Sequence, residues 1–260
     1  MLSQEKIFKN EIRVIPGVGC GRNLSDNDIN EIFKTKREHM AVEIITIRLK
    51  TILASVNCYL IKLNSGFILI DTGWTKSRTI LEGCLDKAGC KPGDLKLIVL
   101  THGDFDHIGN CLFIRNKFKS KIAMHNDDLG MAERGDMFWN RKKNNLFMRT
   151  LSNVIFKLSS SDRFSPDIYL KDGDDLAEYG LRAKVISLPG HSTGSIGIIT
   201  DDGNLFCGDL FENIRKPSLS SIIDNSSSAK LSADKLSDLN IGTVFPGHGK
   251  SFLMKDFKKK

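Results

Sequence analysis

The chain lacks any run of the roughly 18 consecutive apolar residues that a membrane-spanning helix needs. Its charged start, Met1 to Asn10, is not followed by the apolar segment of a secretory leader. Both absences lead us to expect a soluble, cytoplasmic protein. The six cysteines, at 20, 58, 84, 90, 111 and 207, include no CxxC pair. Most lie in apolar patterns such as Val56-Asn57-Cys58-Tyr59-Leu60-Ile61, so they read as reduced core residues rather than a disulfide framework. The net charge of +7 is diffuse. Apart from Arg141-Lys142-Lys143 and the tail from Lys255 to Lys260, acidic and basic residues are interspersed, and no basic run is interleaved with stacking aromatics, which argues against a nucleic-acid groove. Only six histidines occur in 260 residues, so any clustering among them is informative.

Two of the six fall in Leu100-Thr101-His102-Gly103-Asp104-Phe105-Asp106-His107-Ile108-Gly109, directly after Leu95 to Leu100, an apolar run suited to a central strand covered on both faces. Side chains two apart in an extended loop point the same way, so His102 and Asp104 can converge on one ion. Asp106 and His107 would open the next helix and address another. Two further histidines sit in Leu188-Pro189-Gly190-His191-Ser192 and Phe245-Pro246-Gly247-His248-Gly249, each read as a strand end followed by a Pro-Gly turn that would fix the ring. Between them Asn204 to Asp209 reads as a strand ending in a carboxylate. Loops at strand ends are where sites are usually built.

In this order the residues resemble the metallo-β-lactamase-fold superfamily, whose pattern is HxHxDH followed by a distant His, Asp and His. The likeness runs over roughly residues 42 to 252 and includes Ile68-Leu69-Ile70-Asp71-Thr72-Gly73, similar to the family's strand and its Asp behind the ligands. It implies an α/β protein: an αββα sandwich of two mixed sheets flanked by helices. It implies one metal held by His102, Asp104 and His191, a second by Asp106, His107 and His248, and Asp209 bridging them. Asp71 would orient one ligand ring through a hydrogen bond. The departure is Asp104, a hard anionic oxygen where the family usually has a second His. That leaves zinc as the expected pair of divalent ions but moves the preference toward iron or manganese. The implied activity is hydrolysis of an ester, lactone, thioester or phosphoester, with Asp106 or Asp209 orienting the nucleophile and taking its proton. A stand-alone lactonase- or esterase-like enzyme fits better than a true β-lactamase. The alternatives are a di-iron redox enzyme like the flavodiiron core and a non-catalytic metal- or ligand-binding protein.

The remaining chain divides into an extension over 1–39, with a helix near 27–38, a GxGxG run read as a turn and His39 on the surface, and a catalytic domain over 40–260. Strands are expected at 42–49, 56–63, 66–71, 121–125, 168–171, 175–179, 182–188, 195–200, 203–207 and 242–245. Helices are expected at 77–88, 107–117 and 229–238. His125 is expected to be structural, and Cys207 to pack in the core. Residues 126–165 have helical composition, with Met131, Met137, Phe138, Trp139, Phe147, Met148 and Phe156. They suit a lid over a small-molecule substrate with an apolar portion, or equally a core face or a homodimer seam.

Overall fold

Alternation along the strands decides the layering. The structure, a computed structural model, describes residues 42–50, 55–141 and 158–258. The expected N-terminal extension, its helix, the GxGxG turn, Cys20 and His39 lie outside the described residues. Among the described residues, twelve strands form two sheets. The first runs β1 (Glu43–Lys50), β2 (Ser55–Leu63), β3 (Gly66–Ile70), β4 (Leu95–Val99), β5 (Lys121–His125) and β6 (Ile168–Leu170) in that order across the sheet. Its first two pairings are antiparallel and the other three parallel. The second sheet has the order β12 (Phe252–Leu253), β11 (Thr243–Gly249), β9 (Asn204–Asn213), β8 (Ile196–Thr200) and β7 (Ala183–Ser187), with β10 (Ser218–Leu219) also on β9. Only β11 and β9 pair in parallel there.

Successive residues of a strand face opposite sides, and each sheet uses both sides. From β2, β3 and β4, Cys58, Leu60, Leu69 and Ile98 pack outward against helices α1 (Arg78–Lys87) and α3 (Cys111–Phe118), which contribute Leu81, Leu85, Ile114 and Phe118. Their neighbours Tyr59, Ile61, Ile68, Ile70, Leu97 and Val99 point inward and meet Val185, Ile196, Ile198 and Phe206 of the second sheet. Leu205 and Cys207 face the other way, onto Ala229, Ala233 and Leu236 of helix α5 (Ser226–Ser237). The result is the expected four-layer αββα sandwich with two mixed sheets. Cys207 is in its outer core, and Cys58, Cys84, Cys90, Cys111 and Cys207 are all free thiols.

Several elements differ from expectation for local reasons. The helix expected over 107–117 is two pieces, α2 (Phe105–Ile108) and α3, broken at Gly109-Asn110. There the Asn110 amide donates to the Thr72 and Trp74 carbonyls, 2.7 Å each, and so ties the break to the loop after β3. The strand expected at 175–179 is a single bridge at Asp175 followed by a 3-10 turn, Ala177–Tyr179. The Asp175 carboxylate accepts from Ala177 N and Gly180 takes a left-handed φ of 88°, both of which curl the chain. Helix α5 starts at Ser226 rather than 229, because the Asn225 side chain accepts from Ser228 N as an N-cap. The segment around Pro246 is no strand end. β11 runs on through Pro246-Gly247-His248 to Gly249, with register shifts on either side of Pro246, which has no N–H to continue a regular ladder. The Pro246 carbonyl is taken by Tyr59 Oη at 2.6 Å and Asn57 Nδ2 at 2.9 Å, both from the opposite sheet.

Of the 126–165 segment, 126–141 and 158–165 are described, and Phe147, Met148 and Phe156 are not. A 3-10 turn, Asn126–Asp128, leads into helix α4 (Leu129–Arg134). Met131 is fully buried and Met137 packs on the outer core of the first sheet, so these two serve the core face. Trp139 is 43% exposed, with Arg134 stacked over it at 4.0 Å. His125 ends β5 and its Nδ1 accepts from Asp127 N at 3.2 Å, a structural duty.

Phe206 is the inward anchor of the second sheet, fully buried, with its ring 5.2 Å from Tyr59 and 5.0 Å from Phe245. Phe206→Ala is expected to cost about 3–5 kcal/mol of stability, measured by urea unfolding, because the rigid sandwich cannot collapse around the cavity.

Candidate metal centre

The seven side chains singled out from the sequence meet at one edge of the sandwich, beyond the ends of β4 and β7 and beside β9 and β11. Three overlapping groups have ligand atoms within 4.8 Å of one another: His102, Asp104 and His191; His102, His107 and Asp209; and Asp106, His107 and His248. The first and last of these groups have the membership of the two expected trios, and the middle one joins them through His102, His107 and Asp209. His102 and His107, with ring centres 4.0 Å apart, both face the middle of the cluster. Asp209 reaches both ends: Oδ2 lies 3.2 Å from His248 Nε2 and 3.9 Å from His191 Nε2, and Oδ1 lies 3.4 Å from His107 Nε2. It is not at a strand end, since β9 continues to Asn213. Instead Gly208 bends the strand with φ 50°, and a Cβ there would lie 2.6 Å from Thr101 Oγ1. Gly247 is equally confined, because a Cβ would stand 2.1 Å from Asp209 Oδ1.

Each of the four imidazoles of the cluster is held by its Nδ1. His107 Nδ1 is 2.8 Å from Asp71 Oδ2, His191 Nδ1 is 2.5 Å from the Ile222 carbonyl, and His248 Nδ1 is 2.7 Å from the Ser55 carbonyl. His102 Nδ1 is 3.0 Å from Thr101 Oγ1, whose own proton goes to Asp71 Oδ2 at 2.8 Å, so the hydroxyl accepts from the ring. A nitrogen facing a carbonyl or carboxylate must carry the proton. Nε2 of each neutral ring is then a bare lone pair, and it points at carboxylates: His191 to Asp104 Oδ2 at 3.0 Å, and His248 to Asp106 Oδ2 at 3.3 Å. Nε2 of His102 and of His107 and Oδ1 of Asp209 are buried without a hydrogen-bond partner. Lone pairs facing anions at these distances need cations between them. Imidazole and carboxylate together form a donor set suited to zinc, iron or manganese, so the residues fit the metal pair that the resemblance implies.

Without metal, protons take the cations' place. Burial alone would lower the pKa of His107 and His191, but Asp209 and Asp71 around the first and Asp104 around the second raise both. His248, also lowered by burial, is driven up to about 11 by Asp209 and Asp106. His102 goes the other way. Burial and the neighbouring His107 and His191 rings push it well below the usual imidazole range. Burial would raise Asp209, yet His248 and His107 hold it well below an ordinary carboxylate.

Two residues of the site were not found by sequence reasoning. Asp128, fully buried, accepts from Gly103 N at 3.0 Å, Gly194 N at 2.8 Å and Ser192 Oγ at 2.6 Å, and so fastens the loop of His102 and Asp104 to the loop of His191. Arg141, the first of what reads as a surface basic triplet, turns inward. Its side chain is 8% exposed and its Nη2 lies 2.5 Å from Asp104 Oδ1. No local motif marks either one.

A family model described as the metallo-beta-lactamase superfamily matches residues 52–248. The chain belongs to that superfamily, and the class that fold and site together define is the metal-dependent hydrolase. Among its relatives, the Methanocaldococcus jannaschii protein named "Probable metallo-hydrolase MJ0888" is 29% identical, over 75% of this chain and 88% of its own length. The Haemophilus influenzae hydroxyacylglutathione hydrolase GloC is 28% identical over 45% of this chain and 50% of its own. Among solved structures, TTHA1623 in a di-iron-bound form superposes with a TM-score of 0.63 at 24% identity, covering 83% of this chain and 97% of that one.

Two outcomes are expected. Asp71→Asn removes the anion behind His107 and His102 and should lower metal affinity about 10–100-fold in a chelator competition titration. Metal uptake at neutral pH should release protons, seen as a buffer-dependent heat in calorimetry, and should weaken as pH falls, because protons on His107, His191 and His248 compete with the ion.

Proposed function

We propose that the protein is a dinuclear metal hydrolase acting on a small ester, lactone, thioester or phosphoester, with zinc as the expected metal. The observation that carries this reading is the set of four imidazoles pinned at Nδ1 whose Nε2 atoms converge on Asp104, Asp106 and Asp209. His102, Asp104 and His191 would hold one ion, and Asp106, His107 and His248 the other, with Asp209 shared. When bound, the two ions supply a nucleophilic water at neutral pH and an electrophile for the substrate's carbonyl or phosphoryl oxygen.

The chain's own groups do the rest. Asp71 and Thr101 keep the His102 and His107 rings from turning. Asp106, the more accessible of the two carboxylates at the second set, and Asp209 orient the attacking water and accept its proton. Ile222, whose carbonyl fixes His191, is a large apolar residue left 65% exposed, which supports a substrate with an apolar portion. The relative named as a hydroxyacylglutathione hydrolase supports keeping thioesters in the candidate set.

The test is a panel of ester, lactone, thioester and phosphoester substrates on protein of measured metal content. Hydrolysis abolished by a chelator and restored by zinc or manganese is expected, with Asp209→Ala and His191→Ala losing both turnover and metal while keeping a native circular-dichroism spectrum. Full activity in either variant would sink the assignment. About two irons with a band that bleaches on reduction would favour redox chemistry instead.

A further inference from the structure

Asp104 brings a full negative charge to the first proposed metal set, and the structure meets that charge with a second cation. The carboxylate is divided. Oδ1 takes Arg141 Nη2 at 2.5 Å, while Oδ2 faces His191 Nε2 at 3.0 Å and His102 Nε2 at 3.9 Å. The same Nη2 stands 3.3 Å from His191 Nε2, the nitrogen with which that ring would ligate. Asp128 and Asp224 add to the negative field around the guanidinium. A guanidinium stays charged at any working pH, so this compensation is permanent and does not depend on a proton.

The geometry points to Arg141 as a positioning residue that shares Asp104 with the first metal and sets how tightly that metal is held. One oxygen of Asp104 stays on the guanidinium and the other is presented to the ion, so the carboxylate ligates through Oδ2 alone. Part of its charge is cancelled before any metal arrives, and the guanidinium repels the incoming cation from a few ångströms away. The site of His102, Asp104 and His191 is therefore the weaker of the two, filled after that of Asp106, His107 and His248, whose carboxylates have no arginine or lysine partner among the described residues. This inference rests on the dinuclear reading above. It adds an order of filling and a residue that controls it.

Arg141→Met keeps the apolar stem and removes the charge, Arg141→Gln keeps a hydrogen-bond donor without charge, and Arg141→Lys keeps the charge. Each is titrated with zinc against a chromophoric chelator, alongside the unaltered protein and Asp104→Asn. In the unaltered protein two binding steps are expected. In Arg141→Met and Arg141→Gln the weaker step should tighten about tenfold or more, the size expected for removing a like charge close to the ion, with the stronger step unchanged. Arg141→Lys should stay near the unaltered protein, and in the Asp104→Asn background Arg141→Met should tighten the weaker step less than it does with Asp104 present, because only the direct repulsion of the ion is then removed. A protein that takes one zinc while its neutral variants take two would be the same result in extreme form. A merely structural arginine would lower the thermal midpoint without tightening either step. A weaker step unchanged or loosened in both neutral variants overturns the inference while the metal centre stands. Failure of the unaltered protein to bind zinc, manganese or iron at all overturns both.

Discussion

The carboxylate of Asp71 is the constraint on which the rest of the site depends. It is buried at the end of β3 and accepts from Thr101 N at 2.9 Å, Thr101 Oγ1 at 2.8 Å and His107 Nδ1 at 2.8 Å. Through the threonine hydroxyl it also fixes His102, so one anion sets the tautomer of the two neighbouring rings at the middle of the cluster. Its backbone is in the left-handed region, φ 59°, a conformation that a non-glycine residue holds at a cost of about 1–3 kcal/mol. The Asp71 N–H is meanwhile satisfied by the Val99 carbonyl of the neighbouring strand. Parallel pairing of β3 with β4 brings the end of one strand beside the motif that follows the other, and the strained turn aims the carboxylate at it.

The second level of organisation is electrostatic. Buried carboxylates and imidazoles this close are unfavourable unless cations or protons lie between them. The carboxylates raise the pKa of His107, His191 and His248 and so favour protons there in the absence of metal, while Arg141 is a permanent cation at Asp104. Metal binding exchanges the protons and leaves the guanidinium. A charge that a metal can replace and one that it cannot thus lie side by side on the carboxylate of Asp104, at His191 and at Arg141.

The third level is mechanical. The two sheets are stitched where the ladder is defective: Pro246 breaks the register of β11, and Tyr59 and Asn57 of β2 take up the carbonyl left over. The same irregularity brings His248 into the site, with Gly247 allowing Asp209 to approach as no other residue could. Asp128 does the corresponding work on the far side, joining the loops of His102 and His191.

The sequence by itself determined where most strands and helices lie, because burial on both faces of a strand or on one stripe of a helix is written in residues a few positions apart, while the four-layer order came only through the resemblance to the superfamily. It also picked out as candidate ligands the run His102 to His107 and the outlying His191, Asp209 and His248, since scarce residue types after strands stand out without any knowledge of the path between them. It misjudged the helix after the motif and the strand near 175, where side chains of Asn110 and Asp175 bond backbone and outweigh hydrophobic period. Only the tertiary structure decided that Arg141 belongs to the site and not to a surface basic patch, that Asp128 ties two loops, and that Pro246 lies within a strand. Arg141 meets Asp104 across 37 positions, and Asp128 meets Ser192 across 64. Contacts at such separations are set by how the sheets pack, and nothing in the neighbouring residues encodes them.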